Sequence, residues 1–306
     1  MLRRISRVSF GRPHCVVVRD HYKDRSRSRV DWLGGLYEAD PFQGKFYGSV
    51  VRTSDEKLTI MDPGWSKRFQ HSGFGIVPNL LPEEVLTPLS EEFDALIQSQ
   101  QSGVLVSRGV AYGIRNVLDL LPDLARSLRS TSMVALASEL CGEEAGLVRA
   151  LFFDKPPERS WTLPWHRDRA IAVRESIANL PSGFSNPTCK SGIPHVNASK
   201  SLLEEMVTIR ISIDAMHSDN GPLVVLPGSH STSREEDGDL CVVNPDGIHV
   251  VHCRAGDAFV MRPLLAHSSV KSTAGCVDRR RVLHLEFSGQ PNLPGGLEWR
   301  HYIPIS

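Results

Sequence analysis

Hydrophobic positions change their period twice along this 306-residue chain. Up to about Gln70 no period is sustained, and the stretch includes the DRSRSR run from Asp24 to Arg29, so residues 1–70 read as a poorly ordered extension. From Phe74 the pattern tightens. GFGIVPNLL predicts a short strand, and Pro82 followed by EEVLTPLSEEFDALIQS puts proline and acids where a helix begins. Arg115 to Arg129 and Thr131 to Leu140 repeat apolar positions at three and four, broken at Pro122, which predicts a helical layer. Beyond Gly146 the period drops to two. VRALFFD, MVTIRISID, GPLVVLPGSH, IHVVHC, GDAFVM, LAHSSV and RRVLHLEF read as seven short strands separated by turn residues. Such a run without intervening helices predicts an antiparallel sandwich or barrel, a mainly β jelly roll with packed helices over residues 71–306. Ala170 to Ser201, with Gly183, Pro187, Gly192 and Pro194 and no period, reads as a long loop that overhangs the site as a lid.

Thirty-five basic and thirty-five acidic side chains cancel, which removes any overall field for nucleic acid or anionic lipid, and no nucleic-acid partner is expected. The balance is uneven, with 14 Lys/Arg against 8 Asp/Glu up to Gln70 and 21 against 27 thereafter. Three accounts of the basic leader stay open: a natural disordered extension, a false start with translation beginning at Met61, or a mitochondrial targeting segment. No run of 18 apolar residues occurs, so no transmembrane helix is expected. Six scattered cysteines without a CxxC suit neither a zinc knuckle nor a disulfide framework, which points to a reducing, cytoplasmic setting.

Candidate chemistry starts at His166-Arg167-Asp168. On an extended backbone residues i and i+2 share a face, so imidazole and carboxylate can meet at one point. A second imidazole from a distant strand, His267, would complete two His and one carboxylate, the set that leaves positions open for non-haem Fe(II) chemistry. A second HxD, His217-Ser218-Asp219, runs into Asn220-Gly221 and reads as a solvated hairpin. In RRRVLHLEF, alternation puts Arg280, Val282, His284 and Glu286 on one face, which gives Arg280 the position of a carboxylate anchor, while Arg279 and Arg281 read as a solvated edge.

With GFGIVPNLL, FDKPP and PWHRD, IRISID with DNGPLVVLPGSH, and GDAFVMRPLLAHSSV with RRRVLHLEF in this order, the chain resembles the phytanoyl-CoA dioxygenase family over roughly Gly73 to Trp299. The resemblance implies a double-stranded β-helix (cupin-like) fold and a 2-oxoglutarate-dependent non-haem iron dioxygenase. It implies Fe(II) held by His166, Asp168 and His267, and 2-oxoglutarate anchored by Arg280 with help from Ser269. Dioxygen is then consumed, succinate and carbon dioxide are released, and a small-molecule or acyl substrate is hydroxylated. Retention of Asp168 favours hydroxylation over halogenation.

Arg210 shares its strand face with Thr208, Ser212 and Asp214; it either binds cosubstrate or an acidic substrate group, or pairs with Asp214 or Glu286. His230, within a Pro-Gly turn, reads as scaffold. Arg174 and His195 are candidate substrate contacts from the overhanging loop. Two other accounts keep the jelly roll: a metal enzyme that uses no keto acid, and a non-catalytic ligand-binding module. Neither substrate nor oligomeric state follows from these residues.

Overall fold

The structure, a computed structural model, describes residues 64–176, 178–231 and 247–305. The basic leader and the alternatives attached to it lie outside these residues, apart from its last few. There α1 (Trp65–Ser72) places Trp65 and Phe69 in the core, with their rings stacked 5.0 Å apart. The helix stops at Gly73, whose φ of 82° suits glycine and whose missing Cβ leaves room for the His230 ring.

After β1 (Phe74–Val77) comes α2 (Glu83–Ser99), with the bounds its acids and apolar spacing predict. A hairpin of β2 (Val104–Ser107) and β3 (Val110–Ile114) was not foreseen. The short helices α3 (Val117–Leu120) and α4 (Leu124–Ser127) flank Pro122, and α5 (Thr131–Cys141) is capped by Ser130, whose hydroxyl accepts from the Met133 amide. Then follow β4 (Gly146–Lys155), β5 (Leu163–His166), β6 (Ala170–Ala172), β7 (Ser185–Lys190), β8 (Ile193–Asn197), α6 (Lys200–Glu205) and β9 (Val207–Ser212). The last strands are β10 (Leu223–Val225), β11 (His249–Val250), β12 (Ala258–Met261), β13 (His267–Ser269), β14 (Arg280–Ser288) and β15 (Ile303–Pro304). All seven strands read from alternation are present.

Together with β1, β2, β3, β5 and β15 they form an eight-stranded sheet in the order β1-β12-β9-β14-β4-β3-β2, with β15 added on β4, and a four-stranded sheet in the order β11-β10-β13-β5, antiparallel throughout. Period-two alternation divides the large sheet into two faces. Val207, Ile209, Ile211, Leu283, Leu285, Phe287 and Phe152 join the helices in the main core, where Phe93 of α2 stacks on Phe152 at 4.3 Å. The opposite face, with Thr208, Arg210, Ser212, Arg280, His284 and Glu286, is also buried and looks toward the four-stranded sheet. Between the sheets Phe74, Ile76, Leu223, Val225, Phe259 and Met261 make a separate apolar cluster.

The stretch expected to be a loop lid is instead a third, three-stranded sheet, β6-β8-β7, which rests on its own small core around Ile171, Val196 and Trp299. No helix among the described residues is long and apolar enough to cross a membrane.

Candidate metal centre

Strand pairing accounts for the convergence of the three candidate ligands. β5 and β13 pair with His166 directly across from His267, and the Asp168 amide donates to the Pro263 carbonyl at 2.9 Å, tying the end of β5 to the turn that leads into β13. His166 Nε2 lies 3.9 Å from Asp168 Oδ1 and His267 Nε2 lies 3.6 Å from Asp168 Oδ2. One ligand atom from each residue falls within 4.8 Å of the others. Arg167, between the two ligands, points the other way and donates to the Leu264 and Ser229 carbonyls.

Both imidazoles are oriented by the backbone. His166 Nδ1 sits 2.8 Å from the Pro164 carbonyl and His267 Nδ1 2.9 Å from the Leu265 carbonyl; a carbonyl only accepts, so each ring carries its proton on Nδ1 and leaves the Nε2 lone pair facing Asp168. Burial pushes His267 down to about 4, with His166 and Arg210 adding to the effect against Asp168, which keeps the ring neutral as metal ligation requires. Removal from water would push the Asp168 carboxyl up, but His267, His284, His166 and Arg210 hold it at about 2. Its Oδ2 is buried without a hydrogen-bond partner, an unusual state for a carboxylate oxygen.

Two residues beyond His267 on β13 stands Ser269, and in contact with it is a residue that sequence reasoning missed, Lys155. Arg280 is buried, its Nη1 reaches Met216 Sδ at 4.0 Å, and its Nε has no hydrogen-bond partner among the described residues. Burial and the repulsion of Arg210 pull its guanidinium below the ordinary range. Across the ladder from Arg280, Lys155 donates to the Val270, Trp161 and Gly221 carbonyls at 2.8, 2.9 and 3.3 Å and to Ser269 Oγ at 3.3 Å. With its oxygen accepting from lysine, the Ser269 hydroxyl has its own hydrogen free to donate. The signal for Lys155 was present: it continues the alternation of Arg149, Leu151 and Phe153 along VRALFFDK.

Arg210 corrects one expectation. Its partner is neither Asp214 nor Glu286 but His284, with Nη1 donating to Nδ1 at 2.9 Å, and the guanidinium also lies over the Phe153 ring. Since an arginine only donates, His284 carries its proton on Nε2 and passes it toward Glu286 at 3.2 Å, and Glu286 in turn accepts from Arg149 at 3.0 Å. Asp214 instead binds Arg281. Arg279 and Arg281 are likewise not a solvated edge: Arg279 holds Asp154 and Asp94, and Arg281 holds Asp214 and Asp94.

The other candidates sort as follows. His217 pairs with Asp278 at 3.1 Å in a turn braced by Asn220, and His230 donates from Nε2 to the Gln70 carbonyl. Arg174 is exposed and pairs with Glu298. His195 is buried on β8 and donates from Nδ1 to the Ile193 carbonyl at 2.9 Å.

Residues 69–281 match the family described as phytanoyl-CoA dioxygenase (PhyH). The chain belongs to this family of Fe(II)- and 2-oxoglutarate-dependent oxygenases. It is 23% identical over 256 residues to an L-proline trans-4-hydroxylase of Streptomyces griseoviridis, covering 74% of this chain and 86% of that protein. AviO1 of Streptomyces viridochromogenes Tue57 is similar in fold with a TM-score of 0.57 at 20% identity, over 78% of this chain and 99% of the other. EctD of S. alaskensis, solved with bound Fe, has a TM-score of 0.59 at 15% identity over 78% and 80% of the two chains. The same enzyme has also been solved with 2-oxoglutarate and 5-hydroxyectoine. At these identities the structural likenesses concern the double-stranded β-helix fold, which the chain shares.

Proposed function

We propose that this oxygenase hydroxylates a small organic substrate, with His166, Asp168 and His267 as the iron ligands and Arg280 and Ser269 as the anchor of the 2-oxoglutarate distal carboxylate. The observation that carries the reading is the donor set itself: two Nε2 lone pairs and an unpartnered carboxylate oxygen aimed at one point. This set fits Fe(II), and a buried guanidinium with an idle Nε fits a carboxylate. When bound, iron and 2-oxoglutarate supply the oxidation: one dioxygen is consumed, the keto acid leaves as succinate and carbon dioxide, and a substrate C–H becomes C–OH.

The chain's own residues bind, orient and exclude water. The Pro164 and Leu265 carbonyls fix the two imidazoles, Lys155 turns the Ser269 hydroxyl toward the site, and Arg210 with His284 supports the barrel wall. Phe74, Ile76, Phe259 and Met261 keep the interior between the sheets dry. Arg280 and Ser269 have no comparable purpose in a metal enzyme that uses no keto acid, and the intact donor set has none in a bare binding module.

The test is anaerobic loading of the full chain with Fe(II) and 2-oxoglutarate. The expected results are the weak visible absorption of a ferrous keto-acid complex and, on admission of air, slow substrate-independent release of succinate that Asp168→Ala abolishes. Stoichiometric iron binding with neither signal would overturn the proposal.

A further inference from the structure

The barrel mouth beside β3 and β4 carries more positive charge than its carboxylates balance. Arg115 follows β3 in the position after Ile114, so it returns to the inner face of the large sheet, where it borders a small cavity of about 20 Å³ with Arg149, His195 and Asp119, whose carboxylate is already held by Arg300 and His301. Lys190 closes β7 directly across from Ile193. The two elements are held together because Asn116 Nδ2 donates to the Ser191 carbonyl at 3.2 Å, which brings the neighbours of both residues, Arg115 and Lys190, to one rim. Arg149, on the same cavity, donates to the carbonyl of Ala170, two residues beyond Asp168, and the Asp168 charge is felt at Lys190.

Arg149 is matched by Glu286, which His284 already shares. Arg115 and Lys190 have no ion pair or side-chain hydrogen bond among the described residues. Both pay for the crowding. Burial, then Arg149, lowers Arg115, and burial, Arg149 and Arg115 lower Lys190 against the pull of Glu286 and Asp168. Half-buried cations that repel one another and lack a counter-ion are stable sites for an anion from outside.

On the reading of this chain as an iron and 2-oxoglutarate enzyme, we infer that Arg115 and Lys190 grip an oxyanion of the organic substrate, a carboxylate or a phosphate, and that the remainder of the substrate extends from this rim toward Asp168. A guanidinium fork and a mobile ammonium then fix one end of a small acidic molecule, and the reacting C–H is set by its length.

The experiment uses the full chain loaded with Mn(II) and saturating 2-oxoglutarate, so that the deep carboxylate anchor is filled and no turnover occurs. Probes are N-acetylglycine, methyl phosphate and the neutral N-acetylglycinamide, and the readout is broadening of the probe methyl proton signal by the paramagnetic ion. The expected result is broadening of one or both anions, at least tenfold stronger than that of the amide, with the stronger anion naming carboxylate or phosphate as the natural group. In Arg115→Gln/Lys190→Gln the dissociation constant of that anion should rise at least tenfold, while Arg115→Lys, which keeps the charge, should stay within about threefold; circular dichroism verifies folding of each variant. Absence of anion broadening in the wild-type protein, equal broadening by the amide, or an unchanged constant in the double variant would overturn the inference. Failure of the underlying reading is separate, since it appears first as a chain that never develops the ferrous keto-acid absorption.

Discussion

The two faces of the sheet built from β9, β14 and β4 treat charge in opposite ways. On the outer face, at the edge of α2, every guanidinium is met by carboxylates: Arg279 by Asp154 at 2.6 and 2.9 Å, Arg281 by Asp214 at 2.7 and 2.9 Å, and both by Asp94. On the inner face Arg280, Arg210 and Lys155 are buried with no carboxylate among the described residues hydrogen-bonded to them, and Glu286 is committed to Arg149 and His284. The outer cations close the fold. The inner ones are held in place by carbonyls, a histidine and a sulfur; Lys155, saturated by its acceptors and pulled down to about 7 by burial and the neighbouring arginines, serves the wall, and Arg280 has its charge available to an anionic ligand. Adjacent residues of one arginine run thus do unrelated work because a strand turns its side chains to alternate sides.

Removing the inner carboxylate that faces the imidazoles should have the largest effect. Asp168→Ala is expected to weaken Fe(II) binding more than about 100-fold, since loss of a mere supporting contact to a ligand already costs 10–100-fold; anaerobic titration with iron measures it. Next comes Arg280→Gln, which should raise the dissociation constant of 2-oxoglutarate about 30- to 100-fold, the equivalent of about 2–3 kcal/mol for charge-assisted hydrogen bonds, with little change in thermal stability. Its outer neighbour should behave conversely: Arg281→Gln is expected to cost about 1–2 kcal/mol of unfolding free energy and to leave 2-oxoglutarate binding intact. Equal effects of these two variants on cosubstrate binding would erase the distinction between the faces.

The smallest effect concerns pH. Burial, with Arg149 and Lys190 adding to it, holds His195 at about 4, below its unfolded value of about 6.5. The unfolded chain therefore binds the extra proton between those values, and stability falls as pH drops through that window. His195→Gln should flatten the decline by an amount on the order of 1 kcal/mol between pH 7 and pH 4, read from denaturant midpoints.

Much of the fold was legible because strands with one apolar and one polar face announce themselves by alternation, as MVTIRISID and RRVLHLEF do. The three-stranded sheet was not, because β7 (SNPTCK) is almost wholly exposed and interrupted by Pro187, so neither face bears a hydrophobic signature. The β2–β3 hairpin is only partly buried and escaped for a similar reason. In the site, His166, Asp168, His267 and Arg280 could be named from spacing and residue type. Alternation along VRALFFDK put Arg149 and Lys155 on the face of Leu151 and Phe153 but gave neither a role, and nothing in the sequence marked Arg115 and Lys190, since a cation's meaning depends on whether a carboxylate stands opposite.

By itself the sequence determined which side chains share a face, where the helical layer gives way to strands, and which residue types could bind iron. Only the tertiary structure decided who meets whom: that His166 lies across from His267, that Arg210 leans on His284, and that Arg115 and Lys190 reach the same rim. Periodicity is a local property of a few consecutive residues, whereas these encounters depend on the register of strands far apart in the chain, which no local pattern encodes.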